Sequence, residues 1–128
     1  MIPKFRAYDS GSLNHMYQPE EVMVCDGNIW INDEDSDTNE WIVNNDLNLM
    51  QSTGLCDQEG TEVFEGDILH HQIQTEYTFI VKYDKDKGRW YGDGLSRTYR
   101  IDITKEFLPY HKVIGNIYEN QEILKEKE

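Results

Sequence analysis

A thiol and several carboxylates stand close together in the stretch MQSTGLCDQEGTEVFEGDIL, residues 50–69. A nucleophilic role for Cys56 requires a thiolate, which a positive neighbour or a helix N-terminus favours, and a histidine within reach as a base. Asp57 and Glu59 stand beside Cys56 instead, and their negative charges oppose the formation of a thiolate. Cys56 is therefore not predicted to be a nucleophile.

The glycines of the same stretch indicate turns between strands. Residues 57–60 (DQEG) are a turn-forming run, and Gly66 stands between two acidic residues where the entry to a strand often needs a positive φ. The carboxylate of Asp67 is then free to accept hydrogen bonds from backbone N–H groups. We expect these residues to shape the chain and not to react.

The dipeptide His70-His71 suggests a metal site at first sight. Adjacent residues of a strand point to opposite faces, so these two side chains cannot hold one ion. The two cysteines also lack the spacing of a metal site relative to any histidine of the chain: His15, His70, His71 and His111. No metal-ligating residue is predicted.

An acidic segment partly follows the pattern of a calcium-binding loop. Asp33, Asp35 and Asp37 occupy its first, third and fifth positions. The sixth position is Thr38, whereas the sharp turn of a calcium loop requires glycine there. The twelfth is Asn44, whereas a calcium loop has a glutamate there that binds the ion through both carboxylate oxygens. The segment is predicted to be a solvated acidic loop with at most weak, unspecific divalent binding.

The segment 82–100 is the most basic part of the chain and also carries aromatic rings. Aromatic rings that stack single-stranded bases lie in a basic groove. A local surface that binds single-stranded nucleic acid or a protein is therefore an alternative to a purely structural role for these rings. The aromatic candidates are Trp90, Tyr91, Tyr99 and Tyr110, and the basic ones are Lys82, Lys85, Lys87, Arg89, Arg97 and Arg100. Glycine-rich phosphate loops, catalytic triads and paired-carboxylate motifs do not occur, so no catalytic or cofactor-binding residue is predicted.

Composition narrows the classes of partner. The 128 residues carry a formal net charge of −13, which repels both phosphate backbones and anionic lipid. Cys25 and Cys56 are too few for a disulfide framework, and no signal-peptide pattern is found near the N-terminus. The apolar runs are far shorter than the roughly 20 residues of a membrane span. We expect a cytoplasmic protein with reduced thiols and no cofactor, which binds neither duplex DNA nor a membrane.

Turn dipeptides and alternating apolar residues predict short strands. In the N-terminal half, residues 5–8 and 15–18 are consistent with a hairpin. Asp26-Gly27 separates residues 21–24 from 28–31 and is typical of a type I′ turn, and residues 41–43 and 48–51 are less certain extended pieces. Five further strands are predicted at residues 67–73, 77–83, 89–91, 99–103 and 113–118.

Five short strands separated by turns are the number found in a small SH3-like barrel. Asn120 is a candidate N-cap and Glu122 lies in the first turn of a short C-terminal helix. The predicted fold is mainly β (β-rich α+β). An N-terminal β-hairpin segment, residues 1–49, packs on a C-terminal SH3-like barrel with a short C-terminal helix, residues 50–128, or the two form one compact unit.

Three blocks together resemble the YopX protein family of phages and prophages of low-GC Gram-positive bacteria. They are IPKFRAYD at residues 2–9, MQSTGLCDQEGTEVFEGDI at 50–68 and VIGNIYENQEIL at 113–124, in the order that the family has them. The chain has Ser52 where members commonly carry an aromatic residue before the Thr53 position, and Gln121 where they commonly carry proline. These departures concern turns and caps.

The resemblance implies a phage or prophage protein in the cytoplasm of a host bacterium, with a β-rich fold whose second half is an SH3-like barrel. The family has no established activity, so no catalytic residue is carried over. We expect a non-catalytic accessory module that binds a host or phage protein, and a homo-oligomer remains open. Alternatives are an acidic DNA mimic that inhibits a host nucleic-acid enzyme and a small enzyme without a recognisable motif. Carboxylates at phosphate-like spacing would favour the mimic, and a cleft with perturbed titratable groups the enzyme.

Overall fold

A computed structural model describes residues 4–11, 14–32, 40–74, 77–95 and 100–126. These residues form twelve strands, two short 3-10 turns at Pro19–Glu21 and Leu108–Tyr110, and one helix, α1, at Gln121–Glu126. The predicted mainly β fold with a short C-terminal helix is confirmed. The strands are β1 Phe5–Asp9, β2 His15–Tyr17, β3 Val22–Cys25, β4 Asn28–Asn32, β5 Trp41–Val43, β6 Asn48–Cys56, β7 Glu62–Phe64, β8 Asp67–His71, β9 Thr78–Asp84, β10 Arg89–Gly94, β11 Arg100–Asp102 and β12 His111–Asn116.

The chain divides into two compact units, Met1–Gln51 and Ser52–Glu128. In the N-terminal unit, β1 pairs antiparallel with β2 and with the first half of β6, while β3, β4 and β5 form a three-stranded antiparallel sheet. Asp26 and Gly27 both have positive φ, 54° and 77°, so the predicted type I′ turn is confirmed. The core of this unit consists of Ala7, Tyr17, Val22, Ile31 and Leu47.

The C-terminal unit contains a five-stranded antiparallel sheet in the order β11-β10-β9-β8-β12, which curls into a half-barrel. Each of its strands overlaps one of the five predicted from the alternating pattern. Its core consists of Val63, Leu69, Val81, Ile103 and Leu108. Val81 lies on the apolar face that the period of two predicts for β9. Val63 and Leu69 lie on β7 and β8, Ile103 directly follows β11, and Leu108 belongs to the second 3-10 turn.

The stretch 50–69 forms strands and turns, as its glycines predict. Gly66 has a φ of 86°, and the Asp67 carboxylate accepts a hydrogen bond from the Phe64 N–H at 2.8 Å. The sequence did not reveal that β6 runs on to Cys56 or that β7 follows. Both strands are hidden in the pattern because a register shift between Ser52 and Cys56 interrupts the alternation of side chains.

Asp57 joins this stretch to the closing strand of the sheet. One of its carboxylate oxygens accepts hydrogen bonds from the N–H groups of Glu59 and Thr61, both at 2.9 Å. The other accepts from the N–H of Val113 on β12, also at 2.9 Å. Because the Asp57 side chain is buried and bound to three backbone groups, its role is structural.

Helix α1 begins directly after Asn120, the predicted N-cap. The side-chain oxygen of Asn120 accepts a hydrogen bond from the N–H of Asn116 at 3.0 Å, so it secures the end of β12. A Cβ atom at Gly115 would lie 2.5 Å from that oxygen, and glycine is therefore needed there. No helix among the described residues is long and apolar enough to cross a membrane. Residues 33–39, which make up most of the predicted acidic loop at residues 32–40, lie outside the described part of the chain.

Candidate ligand-binding cavity

A cavity of about 420 Å³ lies in the C-terminal unit, beside the end of β8 and the start of β12. This volume is in the range of small-molecule sites. Aromatic and aliphatic side chains form most of its wall: Tyr77, Phe79, Ile101 and Phe107. Its polar lining consists of the Gln74 amide and two imidazoles, His71 and His111.

The pairing of β8 with β12 brings the two imidazoles together. His71 is the last residue of β8 and His111 the first of β12, and the two are directly opposite in the antiparallel register. Their ring centroids are 5.1 Å apart and the ring planes are nearly perpendicular, at 89°. We call His71 and His111 the imidazole pair.

His111 is held by aromatic rings and by one backbone hydrogen bond. Its ring stacks on that of Phe107 with 3.7 Å between centroids and meets the ring of Phe79 at 5.9 Å. Its Nδ1 lies 2.8 Å from the Phe107 carbonyl oxygen. A carbonyl oxygen only accepts hydrogen bonds, so Nδ1 carries the proton and the neutral ring keeps its lone pair on Nε2.

The His71 ring has the opposite tautomer. Its Nδ1 accepts hydrogen bonds from the N–H groups of Ile73 and Gln74, at 3.1 and 3.0 Å. A nitrogen that accepts these bonds carries no proton, so the neutral ring has its N–H at Nε2. Within the described residues, neither Nε2 of the imidazole pair makes a hydrogen bond. The imidazole pair therefore has one ring acceptor and one ring donor that make no hydrogen bond to the described residues.

Electrostatics favour the neutral form of His111. Burial lowers the pKa of its imidazole, and the neighbouring His71 and His70 lower it further, whereas the hydrogen bond to the Phe107 carbonyl raises it. The net pKa is below the ordinary value of 6.5. At neutral pH the Nε2 of His111 is therefore an acceptor.

The aromatic wall depends on a glycine of the neighbouring strand. Gly92 on β10 is opposite Val81 of β9, and a Cβ atom at Gly92 would lie 3.0 Å from Cβ of Phe79. Without that atom, the Phe79 side chain lies close over β10, with its ring 5.7 Å from that of Phe107. Gly92 thus positions one wall of the cavity.

The basic and aromatic segment predicted from the sequence forms a different surface, the outer face of β9, β10 and β11. Three ion pairs cross it, with nitrogen–oxygen distances of 2.7 to 2.9 Å: Lys82–Asp93, Arg89–Asp102 and Arg100–Asp84. The Arg100 guanidinium also lies 3.8 Å from the centre of the Tyr91 ring. Each of these three cations thus has a carboxylate partner, whereas Trp90 packs against the core and Arg97 and Tyr99 lie outside the described residues.

The other predicted candidates do not meet at the cavity. Cys25 and Cys56 are both free and exposed, which confirms that the thiols are unpaired. Tyr110 is exposed, with its ring 6.3 Å from that of His71. In the part of the chain that the structure describes, no group of three or more potential metal ligands occurs. The imidazole pair was missed because the two histidines are far apart in the sequence and only the strand register joins them.

Fold and cavity together define a small, mainly β protein with a preformed pocket in its C-terminal sheet. The family model of the YopX protein matches residues 4–125, and the chain belongs to this family. Protein EF1440 from Enterococcus faecalis is similar in its crystal structure, with 28% identity, a TM-score of 0.67 and coverage of 97% of this chain and 99% of that one. The crystal structure of YopX from Bacillus subtilis shares the fold at 14% identity and a TM-score of 0.56, covering 93% and 95%. None of the curated proteins matches the chain.

Proposed function

We propose that this YopX-family protein is a non-catalytic accessory module that binds a phage or host protein, and that the cavity beside the imidazole pair receives part of that partner. The cavity is the observation that carries the proposal. An apolar wall with a few convergent polar groups is the usual composition of a binding site. The phage or prophage origin and the bacterial cytoplasm are expectations from the family resemblance.

The state of the potentially reactive groups supports binding over catalysis. Asp57 and Asp67, the buried carboxylates of the stretch 50–69, accept hydrogen bonds from backbone N–H groups. These two carboxylates therefore already have structural partners.

The outer face of β9, β10 and β11 supports the proposal that duplex DNA is not a partner. Lys82, Arg89 and Arg100 are paired with carboxylates, and the whole chain is strongly negative, so phosphate contacts to these three cations would have to displace existing ion pairs. An anisotropy titration with labelled duplex at low salt is expected to show no saturation. Salt-sensitive binding tighter than about 1 μM would contradict this.

A blocked cavity tests the proposed function. Ile101 lines the cavity and is partly exposed, so Ile101→Trp places an indole in its opening. Ile42→Trp is the matched control, because Ile42 is a strand residue of β5 that is 52% exposed and is not part of the lining. In quantitative affinity capture from phage-infected cells, we expect the same partner with the wild type and Ile42→Trp, and its loss with Ile101→Trp.

The capture experiment includes a check on folding. Gln74→Trp is a second blocking variant at an exposed residue, and unchanged melting midpoints show which variants remain folded. Equal capture by the control and by both folded blocking variants would exclude the cavity as the partner site.

One observation favours a second candidate, a small enzyme. The cavity contains a neutral imidazole whose pKa is lowered, which is typical of a general base. Hydrolysis of an activated ester such as p-nitrophenyl acetate by the wild type, faster than by His111→Gln or by free imidazole, would favour this candidate.

A further inference from the structure

The described part of the cavity lining carries no formal charge. None of the lining residues that the structure describes is Asp, Glu, Lys or Arg. A charged group that packs against these residues would lose part of its hydration without an opposite charge from them to replace it. The net charge of −13 further opposes anions. The chemistry of the lining therefore favours an uncharged group.

The imidazole pair adds a requirement for both a donor and an acceptor. His71 offers the N–H at Nε2, because its Nδ1 accepts from Ile73 and Gln74. His111 offers the lone pair of Nε2, because its Nδ1 donates to the Phe107 carbonyl. A ligand with a carbonyl oxygen and an N–H group side by side satisfies both, and a buried polar atom without a partner is costly.

The remaining wall favours a flat group. Phe79 and Phe107 meet edge to face at 5.7 Å between centroids, and Tyr77 and Ile101 complete the apolar lining. Aromatic walls of this kind gain most from planar ligands, which make offset-stacked or edge contacts with the rings. An amide group is planar because of its partial double bond.

We propose that the cavity binds an uncharged planar carboxamide, whose carbonyl accepts from His71 and whose N–H donates to His111; this inference rests on the proposed binding function of the same cavity. The carboxamide belongs either to a partner's Asn or Gln side chain or to a small cyclic amide. The recognised chemistry is the same in both cases.

Matched probes test the carboxamide. Benzamide has both polar groups, acetophenone lacks the N–H donor, and benzoate carries a charge. We expect benzamide to bind with a Kd of about 1 mM, which is usual for so small a ligand. Acetophenone is expected to bind about three- to tenfold more weakly, the loss typical of one hydrogen bond, and benzoate more weakly still.

Nitrogen-15 NMR of the histidine rings locates the binding. Two-bond proton–nitrogen correlations report the tautomer of each imidazole and are expected to show Nδ1–H for His111 and Nε2–H for His71. Benzamide should shift the Nε2 signals of this pair and leave those of His15, which lies on β2 in the other unit, in place. Ile101→Trp should abolish these shifts and Ile42→Trp, at an exposed residue of β5, should not.

Two further ligands distinguish the sources of the amide. Uracil represents the small cyclic amide, and N-acetylglutamine methylamide represents a protein side chain. Stronger shifts of the imidazole pair by the glutamine derivative indicate a protein source, and stronger shifts by uracil a small molecule.

The outcomes separate this inference from the proposed function. Equal affinity for benzamide, acetophenone and benzoate, or no shift of the imidazole pair up to about 10 mM benzamide, overturns the carboxamide proposal even if Ile101→Trp still prevents partner capture. Conversely, benzamide shifts together with unaffected capture by Ile101→Trp would overturn the partner role and leave the carboxamide site standing.

Discussion

The outer face of β9, β10 and β11 and the cavity belong to the same sheet, but they satisfy their polar groups differently. On the outer face, side chains neutralise one another in three ion pairs. At the cavity, each imidazole is bound on one nitrogen by the backbone, while its second nitrogen makes no hydrogen bond to the described residues. Three cations of the conspicuous charged segment are thus already paired with carboxylates, whereas the less conspicuous apolar cavity is lined by two imidazoles that each keep one nitrogen without a hydrogen bond to the described residues.

The largest expected effect is the loss of the buried member of the imidazole pair. The His111 side chain is 5% exposed. His111→Ala removes its stacking on the Phe107 ring and its hydrogen bond to the Phe107 carbonyl. We expect the free energy of unfolding to fall by about 2–4 kcal/mol, as for other large buried side chains. Urea denaturation measures it, with Arg89→Ala on the outer face as the control. If His111→Ala and Arg89→Ala lowered the free energy of unfolding by similar amounts, the cavity and the outer face would not differ in their contribution to stability.

Gly66 is hydrogen-bonded to β9, the strand that contributes both to the outer face and to the cavity. Gly66 donates from its N–H to the carbonyl of Val81 on β9 at 2.8 Å and has a φ of 86°, which a β-branched residue adopts only with strain. Gly66→Val is expected to lower the free energy of unfolding by about 1–3 kcal/mol. Gly11→Val is the control, because Gly11 is not among the positive-φ glycines. An unchanged denaturation midpoint for Gly66→Val would refute the requirement for glycine.

We expect the free energy of unfolding to decrease gradually at acidic pH because of His111. The pKa of His111 is lowered in the folded protein, so between that pKa and the ordinary value of 6.5 the unfolded chain binds more protons. The free energy of unfolding therefore has its full value above about pH 6.5. It falls as the pH decreases through the pKa that His111 has in the folded protein. Melting curves of wild type and His111→Gln should converge towards low pH. Parallel profiles of wild type and His111→Gln would contradict this.

The smallest effect is expected on the outer face. Arg89 and Asp102 form an ion pair at 2.9 Å with both side chains about half exposed. A double-mutant cycle with alanine should give a coupling energy below about 1 kcal/mol, which decreases further as salt increases. A coupling as large as the loss in His111→Ala would show that the outer face is a major source of stability.

Much of the local structure was predictable. The Asp26-Gly27 turn and the strand positions in the C-terminal half follow from positive φ and alternation, which are properties of neighbouring residues. The helix begins after Asn120 as predicted, but the Asn120 side chain bonds to Asn116 and not to the described residues of the helix. The continuation of β6 and strand β7 were missed, because the register shift between Ser52 and Cys56 disturbs the alternation that a sequence pattern requires.

The site was less predictable than the fold. The sequence correctly indicated the turn at residues 57–60 and the positive φ of Gly66. It gave no signal for the imidazole pair, since neither histidine has a motif around it. Their meeting depends on the register of β8 with β12, which includes a shift between Val113 and Gly115, and on the turn that stacks Phe107 on His111.

By itself, the sequence determined the turns, most strands, the acidic charge and the family, because steric preference, side-chain alternation and net charge are carried by the residues and their order. Only the tertiary structure decided which cations are paired and which histidines share a cavity. Those outcomes depend on hydrogen bonds between strands distant in sequence, and a shift of one residue in register would reverse the faces on which these side chains lie.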